Sequence, residues 1–317
     1  MHTSLDKRAI LEDRASMLKQ ARSFFDQRHI LEVDCPILTQ GASVDAHIDL
    51  IPASCYSQEI RYLHSSPEYG MKRLLAGGMG DIYQISHVFR DGESSPKHNP
   101  EFMMAEWYRL GITFESMIHE TLDFIRLFLG SLPSKILSYR QAFQKYTGLD
   151  YIKTSSQDLM QFLQNHDIQP YKGIETEGKD ALLNIILGTF VEPFLGKNEL
   201  CVLAYYPASQ AALAKTLMHE DEHVAERYEI YYQGIELANG YHELTHAAEQ
   251  RNRLIEANHF RKTLNKSPLP LDEHFLAALE KGLPDVCGVA VGFDRLMMLR
   301  HQTSQISDVI PFVWSEA

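Results

Sequence analysis

The sequence predicts an α+β fold in which helices flank a mainly antiparallel sheet. Two alternating runs, Asp81 to Phe89 and Phe102 to Tyr108, flank a polar loop and read as adjacent strands. A second hairpin lies within Tyr228 to Ile235. Helical patterns are interspersed with these strands, so the sheet is built from neighbouring hairpins rather than from regular strand–helix crossovers.

Taken in order, Leu5 to His29 has helical spacing, with Ile10, Met17, Ala21 and Phe24 on a stripe widened by Leu18 and Phe25. Ile30 to Leu38 reads as extended, since Pro36 removes the helical option. Ser66 to Leu75 is a short helix with Pro67 at its first position. In the strand after Asp81, Tyr83, Ile85 and Phe89 share a face and Arg90 takes the other. In the returning strand Phe102, Met104, Glu106 and Tyr108 share one side, with Met103, Ala105 and Trp107 opposite. Helices are expected over Thr113 to Leu129, Ser156 to Asn165, Leu182 to Phe194 and His242 to Leu264. Strands are expected over Leu200 to Tyr206 and Val286 to Phe293, the latter running into a helix from Asp294.

The chain has 317 residues, with 44% hydrophobic and 23% charged, an ordinary globular composition. Thirty basic against 42 acidic residues give a net charge of −12, which disfavours broad capture of a phosphate backbone. The four cysteines form no Cys-x-x-Cys pair and read as reduced thiols of a cytoplasmic protein. Met1 to Arg14 is charged, without the apolar stretch of a signal peptide, and no apolar run reaches the ~18 residues of a membrane span.

Three features suggest a site. Phe102, Glu106 and Tyr108 put an aromatic platform, a carboxylate and a phenol beside Arg90; the surface is either a solvated charge or a pocket for an aromatic-stacked, cationic ligand. If Gln233 and Gly234 form a two-residue turn, Tyr231 pairs with Glu236 and Glu229 is diagonal to Glu236 on the same face. Two such carboxylates are either a solvated edge or a seat for magnesium carrying phosphates. Gly288, Ala290 and Gly292 leave one strand face bare, either for tight packing or for a flat ligand, and Arg295 follows at a helix start that favours anions.

Together these segments resemble the class II aminoacyl-tRNA synthetases. Phe24 to Leu38 is similar to motif one, the dimer-forming segment; Phe89-Arg90 through Glu106 to motif two; Gly288 to Leu299 to motif three. The resemblance implies a single catalytic domain over residues 1–317 that uses ATP and Mg2+ and pairs as a homodimer. Arg90 would grip the α-phosphate and Arg295 the γ-phosphate, both as catalytic residues. Asp91, Gly92, Asn99, Phe102, Glu236, Leu237 and Gly292 would complete the ATP site, with Phe102 stacked on adenine. Glu229 and Glu236 would ligate the metal.

The strings His98-Asn99-Pro100-Glu101-Phe102 and Gly234 to Gly240 resemble the lysine-specific members. That places Ser66, Pro67 and Glu68 at the substrate amino group, and Glu106, Tyr108 and Glu243 around the distal ammonium. Ser66-Pro67-Glu68-Tyr69, Tyr205 to Gln210 and Pro284-Asp285 are similar to a stand-alone branch of the class. With no room before motif one for an anticodon domain, the expected acceptor is a lysine side chain of elongation factor P rather than tRNA, and the expected substrate is (R)-β-lysine or lysine.

Two departures stand out. The motif-two carboxylate is displaced to Glu93, and His246 replaces an expected aspartate. His246 creates the string His242-Glu243-Leu244-Thr245-His246, which on a helix would put two histidines on one face in zinc-protease fashion. The competing functions are therefore a zinc protease, a lysyl-tRNA synthetase fragment, a biosynthetic amide synthetase and a nucleotide-binding regulator.

Overall fold

The structure is a computed structural model, and it describes residues 6–41, 43–56, 59–171, 173–174 and 177–317. In chain order the elements are α1 (Lys7–Asp26), β1 (Leu31–Glu32), β2 (Leu38–Thr39), β3 (Pro52–Ser54), β4 (Ile60–Leu63), α2 (Glu68–Ala76), β5 (Ile82–Phe89), β6 (Glu101–Leu110) and α3 (Phe114–Leu129). There follow β7 (Ser134–Ser138), α4 (Tyr139–Thr147), α5 (Ser156–Asn165), α6 (Lys179–Ile186), β8 (Leu200–Pro207), β9 (Thr216–His219), β10 (Glu222–Tyr232) and β11 (Ile235–His242). The chain ends with α7 (Ala247–Thr263), α8 (Glu273–Gly282), β12 (Val286–Gly292) and α9 (Phe293–Arg300). Leu5, at the start of the expected first helix, lies outside the described residues. Among the described residues no helix is long and apolar enough to cross a membrane.

The chain divides into two compact units, one of residues 1–131 with 243–317 and one of residues 132–242. In the first, β5 and β6 are antiparallel, β6 and β12 are antiparallel, and β1 joins β5 in parallel. The side that Trp107 and Tyr83 share is apolar. Phe25 of α1 stacks on Tyr83 with ring centroids 4.1 Å apart and meets Trp107 edge-on at 5.3 Å. Phe124 and Phe128 of α3 extend this cluster to Phe293 of α9. Burying these large rings on one face drives the sheet against its helices. The opposite row of β6 carries Glu106 and Tyr108 and lies in register with the small residues of β12: Tyr108 opposite Gly288, Glu106 opposite Ala290 and Met104 opposite Gly292. β2, β4 and β3 form a separate small antiparallel sheet.

In the second unit β10 pairs antiparallel with β11, β8 and β9, and β7 joins β8 in parallel. Its core gathers Tyr139, Phe143, Leu159, Leu163, Ile186 and Leu203 from α4, α5, α6 and β8. The expected helix Leu182 to Phe194 is instead α6 followed by a π turn at Leu187–Val191 and a 3-10 turn at Glu192–Phe194. Pro193 supplies the reason, because it lacks an N–H and its ring crowds the preceding turn.

The expected helix from His242 is also corrected. β11 continues through His242, Glu243 N donates to Val286 O at 3.0 Å, and α7 starts only at Ala247. His246 is its N-cap, with Nδ1 accepting from Glu249 N. His242 Nδ1 instead meets Glu226 Oε2 at 2.7 Å. A strand end and a helix cap cannot present two histidines on one helical face, so the zinc-protease premise fails. Among the described residues no group of three or more His, Cys, Asp or Glu could hold a metal ion.

Candidate active site

The first unit contains a buried acidic cluster. Glu68 opens α2, Glu106 and Tyr108 project from the polar row of β6, and Glu243 lies on the extended stretch before α7. Ser66 Oγ donates to Glu106 Oε2 at 2.7 Å, and Tyr108 Oη donates to Glu106 Oε1 at 2.7 Å. Ser66 Oγ also accepts from Glu68 N at 3.0 Å, so this one hydroxyl links two of the carboxylate-bearing residues. Pro67 precedes α2 as its N-cap residue.

One member of the cluster was not expected. Lys72, a turn along α2 from Glu68, places Nζ 2.5 Å from Glu68 Oε1 and 2.5 Å from Glu243 Oε2. Its side chain is 0% exposed. The spacing of Glu68 and Lys72 on a predicted helix was the available signal. The partnership with Glu243 spans the chain and left no local trace.

Burial, then the charge of Glu68, pushes the Glu106 carboxyl up to about 7 despite hydrogen bonds from Ser66 and Tyr108. Burial pushes Glu243 up to about 8 against the pull of Lys72. Burial alone would lower the Lys72 ammonium, but Glu243 and Glu68 hold it above its ordinary value. The cluster is thus short of positive charge, and two of its acids retain protons near neutrality. The small residue at 288 makes room for it: a Cβ there would lie 2.4 Å from Tyr108 Cε1 and 2.5 Å from Glu243 Oε1. At that position the bare strand face is filled by the protein's own side chains.

A second centre in the same unit is cationic. The Arg90 guanidinium lies 5.2 Å from the Phe102 ring centroid, and its Nε is buried without a hydrogen-bond partner. Arg295 Nη2 donates to His98 Nε2 at 2.8 Å, so that nitrogen is an acceptor and the ring is neutral. Burial and then Arg295 hold His98 below its usual range, with Glu93 opposing and Arg90 and Lys97 adding to the shift. Glu93, the displaced acid, sits 3.9 Å from Arg90.

Arg295 is positioned by its neighbour. Asp294 is 2% exposed; it pairs with Arg14 at 2.5 Å and accepts from Met103 N at 2.7 Å. These bonds pin the first turn of α9 to α1 and β6. At Gly292, the N-cap of α9, the atoms nearest to an added Cβ belong to the Arg295 side chain, from 3.6 Å. Asn99 donates to Glu101 O two residues on and accepts from Trp314 N near the far end of the chain. Asp91 N donates to Asp49 O at the start of the loop, and Gly92 adopts a φ of 74°, a left-handed conformation that suits glycine.

In the second unit the expected turn forms, with Gln233 at φ 51° and Gly234 at φ 70°, and Tyr231 pairs with Glu236. A bulge between Ile230 and Tyr231 then sets Glu229 opposite Asn239. Glu229 is 6% exposed and accepts from Arg227 at 2.7 Å and from the phenols of Tyr206 and Tyr231 at 2.5 Å each. Both Glu229 and Glu236 act electrostatically on those two phenols. Leu237 is buried beside Glu236.

The donor set fits a hard divalent cation that brings its own phosphate ligands. A carboxylate has roughly four lone-pair positions, so Glu229 retains one. Asn239 Oδ1, opposite it, is buried without a hydrogen-bond partner. Magnesium favours one or two carboxylates completed by water and phosphate oxygens.

Residues 2–315 match the family model described as tRNA synthetases class II (D, K and N). Curated relatives are similar over almost their whole length. An elongation factor P–(R)-β-lysine ligase of Haemophilus influenzae (strain PittGG) is 42% identical over 310 residues, covering 96% of this chain and 94% of its own. Proteins of the same name from Edwardsiella ictaluri (42% over 311 residues, 96% and 94%) and Pseudoalteromonas translucida (41% over 310 residues, 96% and 95%) are similarly close.

Proposed function

Because the chain belongs to the class II tRNA synthetase family for aspartate, lysine and asparagine, we propose that it activates (R)-β-lysine, or lysine, as an acyl-adenylate and transfers it to a lysine side chain of elongation factor P. It is an ATP-dependent ligase that forms an amide bond. The observation that carries the substrate reading is the buried cluster of Glu68, Glu106 and Glu243, whose three carboxylates outnumber their one internal cation. Buried acids in excess are stable only when protonated or when a cation arrives.

The reaction has two steps. A carboxylate oxygen of the amino acid attacks the α-phosphorus of ATP, and the bond to pyrophosphate breaks. Arg90, with an unsatisfied buried Nε beside Phe102, is suited to hold the phosphate undergoing attack while the ring stacks on the base. Arg295, held by the Asp294 bonds and neutral His98, is suited to the departing end. Glu229 and Glu236 would hold magnesium, which supplies charge neutralisation on phosphate oxygens. The acceptor amine then attacks the acyl carbon, AMP leaves, and the amine loses a proton to solvent. Catalysis is by positioning and electrostatics, and the proposed steps use no side-chain nucleophile.

The proposed assembly is a cytoplasmic homodimer through the motif-one segment, where Leu31 and Leu38 are 54% and 43% exposed. The acceptor assignment is tested with labelled β-lysine, ATP and either elongation factor P or tRNA. Label should enter the protein and not the RNA; charging of tRNA would instead make this a tRNA synthetase.

A further inference from the structure

Lys72 is a costly choice for its position. Its side chain is wholly buried, and an apolar residue could fill the space without taking an ammonium out of water. The charge is kept only because it bridges Glu68 and Glu243, each at 2.5 Å. Three carboxylates against this one ammonium leave the cluster two negative charges in excess. The other groups bordering it do not cancel them. Tyr108 is kept neutral by burial and by the surrounding acids. On the flank of α2, burial, then Glu106 and Asp34, keep Cys35 neutral against the pull of Arg73. Tyr69 faces Asp45 and Asp272, both acids.

We propose that Lys72 is the pocket's resident counter-ion, a positioning residue that joins Glu68 to Glu243 and sets the cluster's charge so that two ammonium groups neutralise it and one does not. This deepens the reading above and rests on it for the identity of the ligand. In the free protein the excess charge is relieved by protons on Glu106 and Glu243, the two acids whose affinity for protons is raised. A diamino acid takes the place of those protons. A ligand with a single ammonium leaves one acid to keep its proton or remain uncompensated in a buried site, which costs affinity. Lys72 lowers the proton affinity of both Glu106 and Glu243, so its loss leaves the pocket more protonated and harder for a dication to enter near neutral pH.

The test uses Lys72→Met and Lys72→Arg in the full chain, read in two ways. The first needs no ligand: carboxylic-acid carbonyl bands in the infrared are followed against pH. In Lys72→Met the protonated band should persist at least about one pH unit higher, and Lys72→Arg should restore the original midpoint. The second compares lysine and β-lysine with norleucine and ε-aminocaproate, each of which lacks one amino group. Wild type should discriminate by roughly a hundredfold or more in kcat/KM, and Lys72→Met should lose roughly tenfold of that through KM with its acidic limb moved upward. Should Lys72→Met fail to fold, Lys72→Gln takes its place in both measurements. A folded variant with an unchanged carboxyl titration overturns the proposal and reduces Lys72 to a structural tie. Equal use of one- and two-ammonium ligands by wild type also overturns it. A shifted titration in a protein that activates no amino acid supports the counter-ion role while sinking the substrate reading, so the two failures are distinct.

Discussion

Ser66 Oγ donates a 2.7 Å hydrogen bond to Glu106 Oε2 and at the same time accepts from the backbone N–H of Glu68. The hydroxyl therefore sits between the acid expected at the substrate's distal ammonium and the one expected at its nearer amino group. Moving that nearer group by one carbon, as from α- to β-lysine, changes what it needs from this corner.

Ser66→Ala removes one donor from Glu106 and the support of the Glu68 turn. The expected result is a shift of roughly tenfold in the ratio of kcat/KM for β-lysine to that for α-lysine, with ATP KM unchanged. An unchanged ratio in amino-acid-dependent exchange would release Ser66 from any part in choosing between the isomers.

Glu243→Gln keeps the shape and removes the charge that pairs with Lys72 and that the proposed substrate would also meet. Amino-acid activation should fall by about two orders of magnitude or more, since truncating one partner of a buried charge pair costs several kcal/mol. The variant should still bind ATP, as the arginine centre is untouched; equilibrium binding alongside exchange kinetics separates the two effects.

Stability and substrate use should both follow the acids. Glu106 and Glu243 bind protons more tightly folded than unfolded, rising from 4.5 to about 7 and about 8. Their contribution is therefore fully present at low pH and declines as pH climbs from about 5 through 8. Denaturant melts of the free protein should show this fall. Added lysine or β-lysine should offset it most above pH 8, where the acids are ionised, and KM should drop as pH rises through 7 to 8.

Gly288→Ala tests the packing of the pocket wall. With its Cβ only 2.4 Å from Tyr108 and 2.5 Å from Glu243, those side chains must move. The expected cost is about 1–3 kcal/mol in denaturant melts, with loss of amino-acid-dependent activity. A fully active variant would show that Glu243 need not stay where it is.

Glu236→Gln tests the metal assignment. The magnesium concentration for half-maximal exchange should rise roughly tenfold, while lysine discrimination stays as in wild type. An unaltered magnesium requirement would remove Glu236 as a ligand.

Period-two alternation made β5 and β6 legible, and with them the separation of Tyr83 and Trp107 from Glu106 and Tyr108, because a half-buried sheet writes its two faces into the sequence. The turn at Gln233-Gly234 was legible for the same local reason. What escaped was long-range or context-dependent. Lys72 on its own is an ordinary helical lysine, and only Glu243 arriving from the far end of the chain makes it a buried bridge. Arg14 reads as surface charge until Asp294 meets it. His242 and Glu243 have helix-compatible neighbours, yet the bond from Lys215 N to His242 O and that from Glu243 N to Val286 O keep the stretch extended. Tertiary pairing there overrides a weak local preference, and it is that override which aims Glu243 into the cluster.

The most direct test is pyrophosphate exchange into ATP with α-lysine and β-lysine side by side. Label should appear in ATP only when one of these amino acids is present, and the signal should be lost in Arg90→Ala and Glu243→Gln. Purified protein that binds ATP normally yet exchanges no pyrophosphate with either amino acid would contradict adenylation at this site.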